Sequence, residues 1–277
     1  MTISSGPYIN RTGLVFHYDM DNLYKSWRGK PTTNLVTDTP LQSGWMGQYL
    51  LINSEQKIFE VQVRQDIAAT PSAWRTHYWS VAGYAGQTVT ISMDVELLSE
   101  TNCTWSRTAV GQGNTGSFPY HIAGSDAADK MQLSNFPSKK THFTWTGVIN
   151  ATEAVGISTW IDNITATGAN AWLRISNVMI EANDHETRFV NGTRSNTEAI
   201  LDLTGNNTIT ANSLTYNSDG TFSFDGTSNY ISVGDLGDFS NITIDHWFKF
   251  DTVQNYRNTL DCNFSTGGAN TGNIGPR

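Results

Sequence analysis

Charge is scarce in this chain. Only 15% of its 277 residues are Asp, Glu, Lys or Arg, against about 25% in an ordinary soluble domain, so Thr, Ser, Asn and Gly must wet the surface instead. The few cations form no basic stripe and the formal net charge is -8. Nothing is in place to neutralise a row of phosphates, which excludes nucleic acid as a partner. Cysteine is nearly absent: Cys103 and Cys262, far apart and without metal-ligand spacing, exclude a disulfide framework. No run approaches the roughly 20 apolar residues of a membrane-spanning helix, so no membrane insertion is expected. The N-terminal MTISSGPYINRTGLVF lacks a basic stretch followed by an apolar core, so no secretion signal is expected either.

Signatures of catalysis are missing as well. The six histidines, at 17, 77, 121, 142, 185 and 246, make no H-x-H, H-E-x-x-H or Cys/His pattern, which leaves zinc chemistry without ligands. GQGNTGS at 111–117 is glycine-rich but has no Gly-Lys-Ser/Thr and no helix after it, so it reads as a loop and not a phosphate cradle. No Gly-x-Ser-x-Gly elbow occurs. Near-neighbour carboxylates exist at Asp19 and Asp21 and at Asp94 and Glu96. Glycoside hydrolysis needs two acids across a scissile bond, and these pairs read as a turn and a solvated strand face. No enzyme activity is expected.

What is present is alternation. GLVFHYD, KIFEVQVR, TVTISMDVELL, HFTWTGVI, VGISTWIDN, AWLRISNVMIEA, TFSFDG, YISVGD and ITIDHWFKF alternate with period two or are short and β-branched, with turn clusters between them. This predicts an all-β fold of the sandwich or jelly-roll kind. In TVTISMDVELL, Val89, Ile91, Met93, Val95 and Leu97 share a core face and Thr90, Ser92, Asp94 and Glu96 a wet one. In AWLRISNVMIEA the same rule puts Trp172, Arg174, Ser176, Val178 and Ile180 on one side. DAADKMQLSNF is the one helical candidate, at about two turns.

The seam at ETRFVNGTRS, residues 186–195, breaks the alternation with an Asn-Gly turn and exposed charge. That is what a crossing between domains needs. A second break lies at SWRGKPTTNLV. Two β-sandwich modules are therefore expected.

Trp is abundant, at 9 residues. A Trp or Tyr face stacks on the C–H surface of a pyranose while amides, acids and Arg ligate its hydroxyls. PSAWRTHYWS supplies Trp74, Arg75, Tyr78 and Trp79, and GWMGQY adds Trp45 and Tyr49. Alternation places Trp74 and Tyr78 on one face and Trp79 on the other, so at least one of these aromatics belongs to the core.

LDLTGNNTIT, TFSFDGTSNYISV and ITIDHWFKF resemble the early strands of concanavalin A-like (laminin G-like) domains in structural proteins of tailed bacteriophages. GLVFHYDMDNLYKSW resembles the first strand of that family, which normally comes shortly before the LDLTGNN segment. Here about 150 residues separate the two. The resemblance thus implies a discontinuous lectin-like domain, 1–30 plus 193–277, carrying an inserted module at 31–192. The run ending in IEA followed by TRFVNGTRS is similar to the end of carbohydrate-binding-module-like jelly rolls in phage tail and appendage proteins. The lectin-like unit stops at STGGANTGNIGPR after about half the strands of its family, so an open edge is expected there. The acidic strand motif of laminarinase-like members is absent.

The resemblance implies a non-enzymatic protein on the virion exterior: a fibre, neck or tail appendage, or a capsid decoration. Its implied partners are other virion proteins, further copies of itself and a host surface polysaccharide. A structural calcium held by Asp19, Asp202 and Asp225 is also implied, although Asp-Gly at 225 is equally an ordinary turn; no other cofactor is expected. Two alternatives stay open: a secreted bacterial glycan-binding module or glycoside hydrolase fragment, and a structural brick whose aromatics are all core.

Overall fold

The computed structural model describes residues 13–18, 26–44, 47–66, 72–113, 122–123, 131–132, 141–149, 154–217, 222–225, 227–237, 243, 260–262 and 272–274. All regular structure among them is strand, as the alternation predicts. A short β1 (Thr32–Thr33) leads into β2 (Leu41–Gly44), β3 (Tyr49–Asn53), β4 (Ile58–Gln65), β5 (Ser72–Ser80), β6 (Thr88–Thr101) and β7 (Thr104–Gly113). Then come β8 (Ile122–Ala123), β9 (Met131–Gln132), β10 (Thr141–Val148), β11 (Ala154–Asp162) and β12 (Ala169–Glu181). The expected helix lies mostly outside the described residues, and its Met131–Gln132 is strand.

Two antiparallel sheets carry this part of the chain. One has the order β10-β6-β12-β4-β3; the other runs β2-β5-β11-β7-β8, with β9 also on β7. Their inner faces share a single core. Val89, Ile91, Met93 and Val95 of β6, Phe59, Val61 and Val63 of β4, and Ala171, Leu173 and Ile175 of β12 are all fully buried. Val155, Ile157 and Ile161 of β11 meet them from the other sheet. Each such aliphatic side chain contributes roughly 1.5–3 kcal/mol, which makes this interior the main source of stability. At one edge the apolar rule lapses: Leu50, Leu51 and Ile52 of β3 are all exposed.

β12 departs from simple alternation. Its register against β6 shifts between Ser176 and Met179, and Asn177 takes a φ of 53°, a conformation Asn tolerates better than most residues. The bulge flips every later side chain. Val178 and Ile180 therefore join Leu173 and Ile175 in the core, instead of sharing the side of Trp172, Arg174 and Ser176. Met179 and Glu181 turn to the outer face, yet each is only 1% exposed.

The seam covers that outer face. Thr187 donates its backbone N–H to Glu181 Oε1 at 2.8 Å and places its hydroxyl 2.8 Å from Oε2. Burial pushes the Glu181 carboxyl up, against these hydrogen bonds and the charge of Arg194. Arg194, itself 3% exposed, donates Nη1 to the Thr187 hydroxyl at 2.9 Å and to the Lys30 carbonyl at 3.2 Å, and Nη2 to the Arg188 carbonyl. It sits in β13 (Thr193–Arg194), which pairs antiparallel with β1.

Asn34 completes the join. Its Nδ2 donates to the Val178 and Val190 carbonyls at 3.0 and 3.1 Å, while its Oδ1 accepts the N–H groups of Val36 and Ile180, both at 3.1 Å. One amide thus supplies hydrogen bonds that a missing strand would otherwise make.

Beyond the seam lie β14 (Thr210–Asn212), β15 (Thr215–Tyr216), β16 (Phe222–Ser223), β17 (Tyr230–Ser232), β18 (Leu260–Cys262) and β19 (Gly272–Ile274). They form three two-stranded ribbons, β14-β17, β15-β16 and β18-β19. A second core gathers Trp27 with Ala199, Ile200, Ile209, Ala211 and Leu214. Trp27 stacks on Tyr216 at 5.2 Å and meets the edge of Phe222 at 5.0 Å. Its backbone bridges Ile200, and the Arg28 N–H donates to the Ala199 carbonyl at 2.9 Å. GLVFHYD and LDLTGNNTIT also touch, since the Leu203 N–H donates to the His17 carbonyl at 2.6 Å. ITIDHWFKF, apart from Thr243, lies outside the described residues.

Candidate functional site

The outer face of the second sheet is built in rows. Partners in an antiparallel register share a face, so the pairing of β11 with β5 and β7 fixes what lies side by side. Trp74, Trp160 and Arg107 occupy one row, and Thr76, Ser158 and Ala109 the next. Tyr78, Gly156 and Gly111 form the third. Small residues therefore separate two tryptophans from a tyrosine across the strands, a side-chain trough whose floor residues Thr76, Ser158 and Ala109 are themselves only 0, 0 and 1% exposed. The Thr76 and Ser158 hydroxyls hold each other at 2.5 Å, which satisfies both polar groups in the floor.

Gly156 is part of the construction, since a Cβ there would sit 2.2 Å from the His77 carbonyl oxygen. Trp74 is half-buried, whereas Tyr78 is 9% and Trp160 2% exposed. Trp74 is thus the accessible ring of the three. Burial also raises the Tyr78 hydroxyl, keeping it a neutral donor and acceptor.

The other residues expected beside these point elsewhere. Trp79 faces the interior at 1% exposure, packs on Phe59 at 5.6 Å and donates its indole N–H to the Thr37 carbonyl at 2.9 Å. Arg75 and His77 share that inner side of β5. Arg75 donates to Gln42 Oε1 at 2.5 Å, and burial lowers its guanidinium. His77 is lowered to about 3 by burial first and then by Arg75, so it is neutral at any ordinary pH. Tyr49, on β3 of the first sheet, packs against the core and does not reach the trough. Trp45 lies outside the described residues. The trough therefore unites Trp74 and Tyr78, and it adds Trp160, which the aromatic clusters did not single out. The period-two pattern of VGISTWIDN carried that signal, because it sets Trp160 on the face of Ser158 and Gly156.

The outer face of the first sheet holds ion pairs. It is not wet throughout as expected, since Thr90 and Ser92 are only 0 and 4% exposed and the Thr90 hydroxyl donates to the Asn183 carbonyl at 2.9 Å. His142 lies between Asp94 Oδ1 and Glu186 Oε2, 2.9 Å from each. The bond to Glu186, and then that to Asp94, raise its pKa to about 9 against the cost of burial. Asp94 Oδ2 also accepts Asn177 Nδ2 at 2.8 Å. Arg174 pairs with Glu60 at 2.7 Å and comes within 4.0 Å of Glu96. Asp94 and Glu96 do share a face, each beside a cation.

The three aspartates considered for calcium are not gathered. Asp19 lies outside the described residues. Asp202 accepts the N–H groups of His17, Thr204 and Asn207 and the side chains of Thr204 and Asn207. Burial pushes its carboxyl up, but these donors together outweigh it and hold it at about 2. Asp225 caps its own turn through the Ser228 hydroxyl and the N–H groups of Thr227, Ser228 and Asn229. The Ser228 bonds first, then the other two, hold its carboxyl well below the usual range. Among the described residues no three His, Cys, Asp or Glu side chains converge as metal ligands would.

No protein-family model matches the chain, and no curated protein matches it. Several solved structures align with it. A CBM4 module aligns at 13% identity over 60% of this chain and 100% of its own, with a TM-score of 0.30. The CBM22-1 xylan-binding domain from Paenibacillus barcinonensis Xyn10C aligns at 12% identity over 58% of this chain and 99% of its own, with a TM-score of 0.32. The tripod from the baseplate of bacteriophage Tuc2009 aligns at 12% identity over 82% of this chain and 90% of its own, with a TM-score of 0.33.

Proposed function

We propose that this chain is a non-catalytic glycan-binding protein of a tailed-phage virion exterior, and that the trough on β5, β11 and β7 receives a linear host-surface polysaccharide. The observation that carries this reading is the row pattern: an accessible Trp74 backed by Trp160, a floor of Thr76, Ser158 and Ala109, and Tyr78 with two glycines beyond. Trp74 supplies the apolar platform on which a pyranose face stacks, while the Thr76 and Ser158 hydroxyls are buried and bonded to each other. Binding without turnover is favoured because Asp94, Glu186 and Glu60 are each engaged by a cation.

The virion setting rests on the resemblance of GLVFHYD and LDLTGNNTIT to phage lectin-like strands. The insertion of 31–192 into a unit of 1–30 plus 193–277 belongs to the same proposal. The joint burial of Trp27 with Ala199 and Ile200 supports it, as does the pairing of β1 with β13.

Titration of the full chain with oligosaccharides from host surface polysaccharide, followed by tryptophan fluorescence, tests the binding. Trp74→Ala should weaken it at least tenfold, roughly 1.4 kcal/mol, while leaving the fold intact. The low exposure of Tyr78 and Trp160 favours a second reading, a structural brick whose outer aromatics serve packing. No binding by the wild type at millimolar sugar would select that reading. Mass spectrometry of purified virions tests the setting, and absence of the chain there would end it.

A further inference from the structure

Two residues of the seam are untied while their neighbours on both sides are held. Asn34 grips the chain before and after them: its Nδ2 donates to the Val190 carbonyl at 3.1 Å, and its backbone N–H donates to the Gly192 carbonyl at 2.8 Å. Thr193, next along, pairs with Thr33 across β13 and β1. Asn191 and Gly192 stand exposed between these ties. Among the described residues the Asn191 carboxamide makes no hydrogen bond and the Gly192 N–H meets no acceptor.

Other asparagines of the chain are placed differently. The carboxamides of Asn34, Asn53, Asn177, Asn207 and Asn229 are all engaged, and each is followed by a residue with a side chain. Asn-Gly occurs in the sequence only at 191–192. Glycine has no Cβ to shield its own peptide nitrogen, and a Cβ built at Gly192 would meet nothing within 4 Å. Water and hydroxide therefore reach the one peptide nitrogen that is both unshielded and beside an untied amide.

The chemistry follows from that pairing. Hydroxide takes the Gly192 amide proton, the nitrogen bonds to Asn191 Cγ, and the Cγ–Nδ2 bond breaks, with Nδ2 taking a proton from water and leaving as ammonia. Water then opens the five-membered imide at one of its two carbonyls. Opening at Cγ gives aspartate; opening at the backbone carbonyl gives isoaspartate, whose main chain runs through Cβ and Cγ. In balance, an amide and a water become a carboxylate and an ammonium ion.

We propose that Asn191–Gly192 is a hydrolytic modification site, where water turns an amide into a carboxylate and lengthens the main chain between two ties to Asn34. The added carbon has no slack to fill, because the carbonyls on both sides are bound to the same residue. One of those hydrogen bonds opens, and a new charge arrives with it. The pairing of β1 with β13 is loosened as the chain ages. The site is independent of the trough and stands whether or not the trough binds glycan.

The test is to age the full chain at pH 6 and at pH 9 and to map its peptides by mass spectrometry, with fragmentation that separates aspartate from isoaspartate. Asn191 should convert before any other asparagine, and at least tenfold faster at pH 9, because hydroxide drives ring closure. Hydrogen exchange in the aged chain should quicken at Asn34, Val36 and Ile180, whose N–H groups are bonded at this joint. Asn191→Gln, which would have to close a six-membered ring, should show neither change. Fresh Asn191→Asp carries the charge without the extra carbon and should exchange like fresh wild type. If it exchanges like aged wild type, charge alone loosens the joint and the lengthening is overturned. Asn191 intact after other asparagines have converted, or equal exchange in aged wild type and aged Asn191→Gln, overturns the whole proposal.

Discussion

The sandwich and the unit around Trp27 are both β, but they are held in different ways. The sandwich closes two sheets over one continuous interior, so most of its strands have neighbours on both sides and a face that never meets water. Among the described residues the Trp27 unit has two ribbons, β14-β17 and β15-β16, and a core of Trp27, Ala199, Ile200, Ile209, Ala211 and Leu214, propped by Tyr216 and Phe222. A two-stranded ribbon is marginal on its own. The unit's described ribbons lean on the Trp27 core, and opening free energies follow core size within a single chain. The contrast predicts that the seam couples the stability of the two regions.

The largest effects should come from the two cores. Leu173→Ala, at a fully buried site, should cost about 2–5 kcal/mol and speed amide exchange throughout β4, β6 and β12. Trp27→Ala, 5% exposed, should cost about 3–5 kcal/mol, but only within its own unit. Hydrogen exchange read by mass spectrometry distinguishes the two. If Trp27→Ala deprotects β6 as strongly as residues 199–214, the regions form one cooperative block and the contrast fails.

The seam itself should respond less, and in both regions at once. Thr187→Val removes the hydroxyl shared by Glu181 and Arg194, leaving a buried carboxylate short of a donor at a cost of about 1–3 kcal/mol. Exchange should quicken near Glu181 and near Ile200 together. A change confined to one side would mean that this network does not couple them.

The smallest effect is set by pH. His142 ties Glu186 of the seam to Asp94 of the sheet, and its pKa is raised from 6.5 to about 9. Its contribution is therefore complete below about pH 6.5 and is lost as pH rises through about 9. The ring is about half exposed, so solvent screening keeps that contribution under about 1 kcal/mol. Denaturation midpoints at pH 6 and pH 10 should converge in His142→Ala relative to the wild type. An unchanged difference would remove the clasp from the account.

Much of the sandwich was legible because period two is enforced by burial. The core face of β6 follows from TVTISMDVELL alone. The second half of β12 did not follow. A bulge at Asn177 is a choice made by the neighbouring strand and by Asp94, which takes the Asn177 amide, and no local pattern announces it. The trough was half legible for a related reason. Alternation separates Trp74 and Tyr78 from Trp79 within one strand, but placing Trp160 beside Trp74 requires the register of strands more than 80 positions apart. Asn34 is the extreme case, since its four bonds reach Val36 nearby but Val178, Ile180 and Val190 far along the chain. A single polar residue before an apolar pair gave no hint of them.

The pairing of β1 with β13 brings Thr33 opposite Thr193, so roughly 160 residues begin and end a hydrogen bond apart. The ends of such a stretch are no further apart than those of a tight loop. Excising it and rejoining the ends with a few glycines should therefore leave no backbone gap to span.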